Sequence, residues 1–259
     1  MKELGVQLVA NSGILVETGT LRILIDGIYG ENRYFTPPLK EVRKAVFGMN
    51  SRYRGLDCLF FTHRHVDHFC APYADEYAKN NRLGGLYVPR AGLDPDSFLE
   101  DRRPLPKAAE KGVLHEIHLE GEETFHAELA EDCALTYFRT EHLDSRSYGA
   151  VEHCAILLEA AGRRLLFAAD ASASAENCRC FRALAPLTAV FVTPLFLADP
   201  AGRQLLEELR PAQTVLYHIP FVEDDVTWLR GMVRRQLAAD PALTALTEPN
   251  QRLSLLVSG

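Results

Sequence analysis

A short polar stretch that ends a buried strand decides the fold. It follows the apolar run Leu59-Phe60-Phe61 and reads Thr62-His63-Arg64-His65-Val66-Asp67-His68. Its histidines and its aspartate are neutral imidazole and carboxylate donors, which suit Zn, Mn or Fe. If the strand continues to His65, its alternation places His63 and His65 on the same side, so that both reach one metal ion. Asp67 and His68 follow a turn and face a neighbouring position, which predicts two adjacent half-sites.

A site for two metal ions needs more donors than this stretch supplies. Two ions at tetrahedral or five-coordinate geometry take about seven or eight protein ligands. Further candidates are residues that each stand at the C-terminal end of a short apolar run typical of a strand: His142, Asp170 and His218. We therefore predict that donors from distant parts of the chain meet the histidine-rich stretch at one cleft.

The order of these residues resembles that of the metallo-β-lactamase-fold metallohydrolases. In this chain His-x-His-x-Asp-His is followed by a histidine, an aspartate and a last histidine, and the resemblance covers nearly the whole chain. Ile23-Leu24-Ile25-Asp26-Gly27 also resembles the early strand-Asp-Gly motif of that superfamily. The resemblance implies an α/β fold, a four-layer α/β/β/α sandwich, with which the strand and helix patterns are compatible.

The resemblance also implies roles for the candidate ligands. It places one ion on His63, His65 and His142, a second on Asp67, His68 and His218, and Asp170 between them. The nucleophile would be a hydroxide shared by the ions, because metal coordination lowers the pKa of bound water from about 15.7 towards about 7. Asp67 would orient this hydroxide and shuttle a proton, and Asp26 would accept a hydrogen bond from a ligand histidine. The implied cofactors are two divalent ions, zinc first, with manganese or iron as alternatives.

Three features near the site qualify this resemblance. The residue before the bridging aspartate is usually glycine, and here it is Ala169, although one methyl group is a small change. Glu141 stands where small residues usually precede the third histidine, and its charge disfavours polyanionic substrates. Ser147 and Tyr148, in the turn after His142, are candidate donors to a substrate oxyanion, with a structural role in the turn as the alternative.

Length and composition limit the class of protein. The chain has 259 residues, of which 47% are hydrophobic, and no linker or repeat divides it, so we expect one domain over residues 1–259. A formal net charge of −7 disfavours a nucleic-acid partner. No signal-peptide pattern or membrane-length apolar run is present, so we expect a cytoplasmic protein without a membrane partner. The 6 cysteines are irregularly spaced and fit no zinc-ribbon or disulfide scaffold.

Elsewhere the sequence predicts strands that alternate with helices. Ala10-Asn11-Ser12-Gly13 has the residues of a hairpin turn. Helical spacing is predicted over residues 39–49, 71–81, 200–209 and 224–237. The segments 28–55 and 91–111 are the expected walls of a substrate pocket, because loops at strand ends carry specificity. The histidines expected to be structural and to lie away from the metal site are His115, His118, His126 and His153.

Three functions compete for this set of residues. We favour a metal-dependent hydrolase that cleaves a small ester, lactone or phosphodiester, with a small molecule as its substrate. An RNA-processing nuclease on the same fold is the second candidate, and the acidic charge balance counts against it. The third is a non-hydrolytic di-iron redox protein or a metal-binding module, because iron binds the same ligands. The sequence assigns no residue to contact with the substrate.

Overall fold

The computed structural model describes residues 4–32, 35–92, 99–144 and 151–255. Its strands are β1 (Gly5–Leu8), β2 (Ile14–Glu17), β3 (Arg22–Ile25), β4 (Cys58–Phe60), β5 (Gly85–Pro89), β6 (Leu114–Ile117), β7 (Thr124–Ala130), β8 (Cys133–Arg139), β9 (Cys154–Ala160), β10 (Arg163–Phe167), β11 (Ala189–Val192), β12 (Gln213–Leu216), β13 (Leu243–Ala245) and β14 (Arg252–Ser254). They form two 7-stranded sheets, in the orders β14-β1-β2-β3-β4-β5-β6 and β13-β12-β11-β10-β9-β8-β7.

Helices cover the outer face of each sheet. The helices are α1 (Lys40–Val46), α2 (Ala71–Asn80), α3 (Pro106–Glu110), α4 (Ala175–Arg182), α5 (Pro194–Ala198), α6 (Pro200–Leu209) and α7 (Leu229–Ala239), and a 3₁₀ turn spans Val222–Asp224. Buried side chains of α1 to α3 pack on the first sheet, and those of α4 to α7 pack on the second. No helix in the described ranges has both the length and the apolar character needed to cross a bilayer.

The alternation of side chains along β4 shows how the layers form. Cys58 and Phe60 point into the core between the two sheets, where they join Phe167 and Phe191 of the second sheet. Leu59 points the other way and packs in the core beneath α1 and α2. Both faces of the strand are therefore buried, which explains its uninterrupted apolar sequence. The predicted four-layer α/β/β/α sandwich is confirmed.

The predicted helices are confirmed at three of four places. Helices α1, α2 and α6 lie within the predicted ranges, and Pro72 occupies the first turn of α2. The predicted start of the last helix at residue 224 is wrong, because α7 begins at Leu229 and no side chain caps it. Asp224 instead accepts hydrogen bonds from the amide and the hydroxyl of Thr36, both at 2.6 Å, and belongs to the 3₁₀ turn.

Candidate metal centre

The candidate ligands follow the ends of strands in both sheets. They are His63, His65, Asp67 and His68 after β4, His142 after β8, Asp170 after β10 and His218 after β12. β4 runs parallel to β3, and β10 and β12 both run parallel to β11. Carboxyl ends of parallel strands meet at one edge of a sheet, where loops form ligand clefts. All these residues are buried except Asp67, which is half-buried.

The histidine-rich stretch does not continue the strand before it. β4 ends at Phe60, and the chain turns at His65, whose carbonyl accepts hydrogen bonds from the amides of His68 at 2.9 Å and Phe69 at 2.8 Å. His65 also forms an isolated β-bridge with Glu100. The premise that strand alternation extends to His65 is therefore wrong. A turn carries these side chains into the cleft.

The first half-site consists of His63, His65 and His142. Nε2 of His63 lies 3.1 Å from Nδ1 of His65. The ring centre of His142 lies 5.1 Å from that of His63 and 4.7 Å from that of His65. One nitrogen of each ring lies within 4.8 Å of the others, so that all three can reach a single ion.

The second half-site consists of Asp67, His68 and His218. Nε2 of His68 lies 2.9 Å from Nε2 of His218, and Oδ2 of Asp67 lies 3.5 Å from the same atom of His218. These donor atoms also lie within 4.8 Å of one another. The two half-sites share a wall, because the rings of His63 and His68 are 4.1 Å apart at their centres.

Asp170 lies between the two half-sites. Its Oδ2 is 3.6 Å from Nε2 of His142 and 4.0 Å from Nε2 of His63 in the first half-site. The same oxygen is 3.3 Å from Nε2 of His68, and Oδ1 is 3.5 Å from Nε2 of His218 in the second. A carboxylate in this position can bridge two ions.

Asp26 and Thr62 orient histidines of both half-sites. The Asp26 carboxylate accepts hydrogen bonds from the amide of Thr62 at 2.8 Å, from its hydroxyl at 2.7 Å and from Nδ1 of His68 at 3.0 Å. The Thr62 hydroxyl gives its proton to Asp26, so it accepts a hydrogen bond from Nδ1 of His63 at 3.0 Å. Both rings therefore turn Nε2 towards the cleft, as contacts around metal-binding histidines usually require.

Two residues of the first hairpin also reach the centre, which the sequence did not predict. The side-chain oxygen of Asn11 accepts a hydrogen bond from Nδ1 of His218, and Ser12 donates to the carbonyl of Asp67 at 2.8 Å. The amide of Asn11 donates to the hydroxyl of Tyr29 at 3.2 Å. Asparagine and serine are ordinary turn residues, so their position in a turn hid this role.

The prediction that His153 lies away from the centre is wrong. It is 1% exposed, its ring centre lies 4.9 Å from that of His63, and its Nδ1 lies 2.7 Å from Oγ1 of Thr140. It precedes β9, whose neighbour β8 leads to His142, so pairing of the two strands brings both histidines to one place. His153 belongs to none of the groups of ligand atoms within 4.8 Å in the described residues.

The other histidines without a metal role lie elsewhere, as predicted. His115 stacks on Tyr87 with ring centres 4.3 Å apart, and Nδ1 of His118 lies 2.9 Å from Oε1 of Glu152. His126 lies in β7, where its Nδ1 is 3.0 Å from the hydroxyl of Thr136. All three are therefore engaged by side chains outside the centre.

The neighbouring carboxylates raise the pKa of both histidines in the second half-site. Burial lowers the pKa of His68, but Asp170, Asp67 and Asp26 outweigh burial and raise it well above its ordinary value. Burial likewise lowers the pKa of His218, which Asp170 and Asp67 raise to about 9. Burial raises the pKa of Asp170, but His218 and His68 hold it well below its ordinary value. The three carboxylates therefore create a strongly negative environment around His68 and His218.

The first half-site differs in charge. Burial and the neighbouring His68 and His65 lower the pKa of His63 well below its ordinary value. Burial and His142 lower the pKa of His65 to about 4. These two rings are therefore neutral near pH 7, which is the form of imidazole that binds a metal ion.

The donor set fits two divalent ions. Within the described ranges, the cationic partners of the Asp67 and Asp170 carboxylates are all histidines, and no lysine or arginine pairs with either. Buried carboxylates require a countercharge, and ions held by the surrounding nitrogens would supply it. Five imidazoles and two carboxylates form a set that suits zinc, manganese or iron.

Some of the left-handed backbone conformations lie at or beside the candidate ligands. Asp26, Ala169 and His218 have positive φ angles of 49°, 47° and 55°. Ala169 is the residue that replaces the usual glycine, and the left-handed conformation costs a residue with a Cβ roughly 1–2 kcal/mol. The amide of Leu143 donates to the carbonyl of Asp170 at 2.7 Å and holds the turn that follows. Such strain is typical of functional sites, where surrounding structure enforces it.

Of the remaining candidates near His142, the structure describes only Glu141. Glu141 is exposed, and its amide donates to the side chain of Asn177 at 2.9 Å. Its charge therefore lies in solvent, where salt screens it. Ser147 and Tyr148 lie outside the described residues.

A cavity of about 420 Å³ opens onto the candidate ligands. Phe35 and Leu99 line it, and they belong to the predicted wall segments 28–55 and 91–111. The segment 220–229, which the sequence analysis did not assign to the site, contributes more of the wall. The cavity is within the size range of small-molecule sites.

No protein-family model and no curated protein matches this sequence. Among solved structures, the chain is similar to Igni18, a metallo hydrolase from Ignicoccus hospitalis KIN4/I, with 14% identity and a TM-score of 0.64 over 98% of this chain and 99% of that chain. It is also similar to YhfI from Bacillus subtilis, a metallo-β-lactamase fold protein, with 14% identity and a TM-score of 0.59 over 97% of this chain and 99% of that chain.

A third similar structure is CmlA, a diiron β-hydroxylase from Streptomyces venezuelae. It has 15% identity and a TM-score of 0.61 over 98% of this chain and 55% of that chain. The present chain therefore spans about half the length of CmlA. Together with the two sheets and the candidate metal centre, these similarities show that the chain has the metallo-β-lactamase fold, as the sequence resemblance predicted.

Proposed function

We propose that this protein is a metal-dependent hydrolase that cleaves a small ester, lactone or phosphodiester at a centre of two divalent ions. Asp170 carries the proposal, because its Oδ2 lies 3.6 Å from Nε2 of His142 and 3.3 Å from Nε2 of His68. One carboxylate thus touches both half-sites. The similarity to Igni18, which is described as a metallo hydrolase, supports the same class.

The two half-sites would hold one ion each. The ligands would be His63, His65 and His142 for the first ion and Asp67, His68 and His218 for the second, with Asp170 shared. When bound, the ions would supply an activated water and would polarise the attacked carbonyl or phosphoryl oxygen. We propose zinc as the resident metal, with manganese or iron as alternatives.

Asp67 would perform the proton chemistry from the chain itself. It is the half-buried member of the set and lines the cavity, so its carboxylate can reach a substrate and a water molecule. Burial raises its pKa, but His68 and His218 lower it below the ordinary value, so the carboxylate is ionised near pH 7. Asp67 Oδ2 would orient the water, accept its proton and pass it to the leaving group.

Metal content and turnover test this proposal together. The protein should be purified without chelator, analysed for metals, and assayed against nitrophenyl esters, lactones and phosphodiesters before and after metal removal. We expect two ions per chain, turnover of one class, loss on chelation and recovery on reloading. Saturation at one ion would contradict the dinuclear centre, and loaded protein that hydrolyses none of these compounds would contradict the hydrolase.

A non-hydrolytic di-iron protein is the second candidate. The observation that favours it is the similarity to CmlA, whose description as a diiron hydroxylase shows that this fold also serves redox chemistry. Metal analysis with an absorption spectrum separates the two. Oxidised iron absorbs visible light, whereas zinc does not. A coloured protein with two irons and no hydrolysis would favour the second candidate.

A further inference from the structure

The walls of the cavity differ from its metal-binding floor. Beyond the candidate ligands, the walls are largely apolar and come from separate parts of the chain. The main apolar contributors are Phe35, Leu99, Leu143, Leu195, Val226 and Leu229. Because different segments supply them, the apolar character of the walls is not the property of one loop. A substrate that reaches the floor must bury its own surface against these side chains.

The charged residues of the wall are acidic. In the part of the chain that the structure describes, Glu223 and Asp224 line the cavity beside the candidate ligands, and no lysine or arginine does. Asp224 is fixed by two hydrogen bonds of 2.6 Å from Thr36, which tie the 3₁₀ turn to the segment that carries Phe35. Phosphate groups in proteins are held by arginine, lysine or backbone amides, and the described part of the walls offers no such cation.

The overall charge of the cavity leads to the same conclusion. Two divalent ions would bring four positive charges, and the carboxylates of Asp67, Asp170, Glu223 and Asp224 would balance them. The residues that the structure describes around the cavity therefore supply no surplus positive charge to attract an anionic substrate. A neutral substrate that develops a single negative charge during the reaction suits this balance better than a phosphodiester, which begins with one.

Exposed apolar side chains occur on the segment that borders the cavity. Exposed large apolar side chains are uncommon in the described residues: they are Phe47, Met49, Leu195, Val222, Val226 and Trp228. Leu195 and Val226 line the cavity, and Val222 and Trp228 lie on the same segment 222–229. Val226, which lines the cavity, is 84% exposed, and Trp228, which stands between the lining residues Thr227 and Leu229, is 80% exposed.

We propose that the substrate is an uncharged, apolar carboxylic ester, thioester or lactone, whose apolar part fills the cavity and extends to segment 222–229. This inference rests on the proposed hydrolase function and deepens it. In the reaction, the oxygen of water bonds to the carbonyl carbon. The bond from that carbon to the ester oxygen or to the thioester sulfur breaks. The leaving alcohol or thiol takes up one proton from the water, and the acid product loses the other.

Substrates with a common leaving group test the proposal. The metal-loaded full chain should be assayed with p-nitrophenyl acetate, butyrate and octanoate and with bis(p-nitrophenyl) phosphate. Each rate should be divided by the uncatalysed rate. We expect kcat/KM to rise about fourfold for each added methylene that is buried, and the rate enhancement for the esters to exceed that for the phosphodiester. No dependence on chain length, or a larger enhancement for the phosphodiester, would overturn the proposal.

A matched pair of variants locates the effect at the mouth. Val226→Asp places a charge on an exposed residue of the cavity, and Met49→Asp does the same at an exposed apolar residue that does not line it. We expect Val226→Asp to lower kcat/KM at least fivefold for octanoate and little for acetate, and Met49→Asp to change neither. Equal effects of both variants, or no effect of Val226→Asp, would argue against the assigned surface.

Binding can also be read without turnover. Trp228 is the single tryptophan, so octanamide, an uncharged analogue of the longest ester, should shift its fluorescence to shorter wavelength as the apolar chain covers the ring. Acetamide should not. The absence of a shift at saturating octanamide would contradict the position of the apolar chain. If loaded protein hydrolyses the phosphodiester alone, the substrate class fails and the hydrolase stands. If it hydrolyses nothing, the hydrolase itself fails.

Discussion

Asn11 and His218 are 207 positions apart in the sequence, yet the side-chain oxygen of Asn11 accepts a hydrogen bond from Nδ1 of His218. Asn11 stands in the hairpin turn between β1 and β2 of the first sheet, and His218 follows β12 of the second. The contact therefore joins the two sheets at the candidate metal centre. It also fixes the proton on Nδ1 and leaves Nε2 of His218 facing Asp67 and Asp170.

We expect Asn11→Ala to weaken metal binding because His218 loses the acceptor that sets its tautomer. Loss of such a contact typically lowers metal affinity about 10- to 100-fold. Asn11→Asp restores an oxygen acceptor at the same place and should recover most of the affinity. Titration against a chromophoric chelator measures both variants. Equal losses in the two variants would mean that Asn11 acts only through packing of the turn.

Asp170→Asn should damage the metal centre more than the fold. The amide keeps the shape of the side chain but removes the charge that balances two ions, so at least one ion should be lost. Turnover should fall more than about 100-fold, the upper end for outer contacts of a metal site. Metal analysis, circular dichroism and hydrolysis should be measured on one preparation. Asp240→Asn, which changes an exposed aspartate, is the control and should change none of them. Two retained ions with normal turnover would show that Asp170 is not the bridge.

Thr62→Val should reduce both stability and metal affinity. The hydroxyl of Thr62 is buried, donates to Asp26 at 2.7 Å and accepts from Nδ1 of His63 at 3.0 Å. Valine keeps the volume but leaves two buried polar groups without this partner, which should lower the free energy of unfolding by about 1–3 kcal/mol. Thr62→Ser keeps the hydroxyl and should lose less. Urea denaturation of the metal-free protein measures the free energy of unfolding. If valine and serine cost the same, the methyl group and not the hydroxyl matters.

Arg64→Met should separate folding from metal binding within the same stretch. The Arg64 side chain is 2% exposed and points away from the cleft. It donates hydrogen bonds to the carbonyl of Pro89 at 2.7 Å and to Glu116 at 3.0 Å. Methionine preserves the stem but leaves these acceptors without their donor, and we expect a loss of about 2–4 kcal/mol in stability.

The metal content of the folded Arg64→Met protein should remain at two ions per chain. Arg82→Met, at an exposed arginine, is the matched control and should be neutral in both measurements. An Arg64 variant that folds normally but loses an ion would place this side chain in the metal centre and not in the supporting structure.

The local sequence pattern was sufficient to select the candidate ligands. His63, His65, Asp67 and His68 lie in one short stretch, and His142, Asp170 and His218 each follow an apolar run. Because strands of a buried sheet are apolar and their ends carry polar side chains, the sequence alone could place these donors at strand ends. The structure brings them within a few ångströms of one another, as the 3.3 Å between Asp170 and His68 shows.

Sequence pattern failed where a residue is defined by a distant partner. His153 has the local pattern of an ordinary histidine before a strand, and only the pairing of β8 with β9 places it 4.9 Å from His63. The acidic residues near 224 resemble the start of a helix, but Thr36 binds Asp224 across 188 positions and holds it in a separate turn. Neither partner can be identified from its neighbours in the sequence.

The sequence by itself indicated the buried strands and the candidate donors, because apolar runs and strand-end polar residues depend on neighbours along the chain. The layered fold was predicted from the resemblance to the metallo-β-lactamase-fold proteins. Only the tertiary structure decided how these donors are held: the acceptor Asn11 for His218 and the left-handed turn at Ala169. It also decided the apolar cavity, whose walls come from segments far apart in the chain. Tautomer, charge balance and cavity shape depend on distances through space, and packing of the two sheets sets those distances.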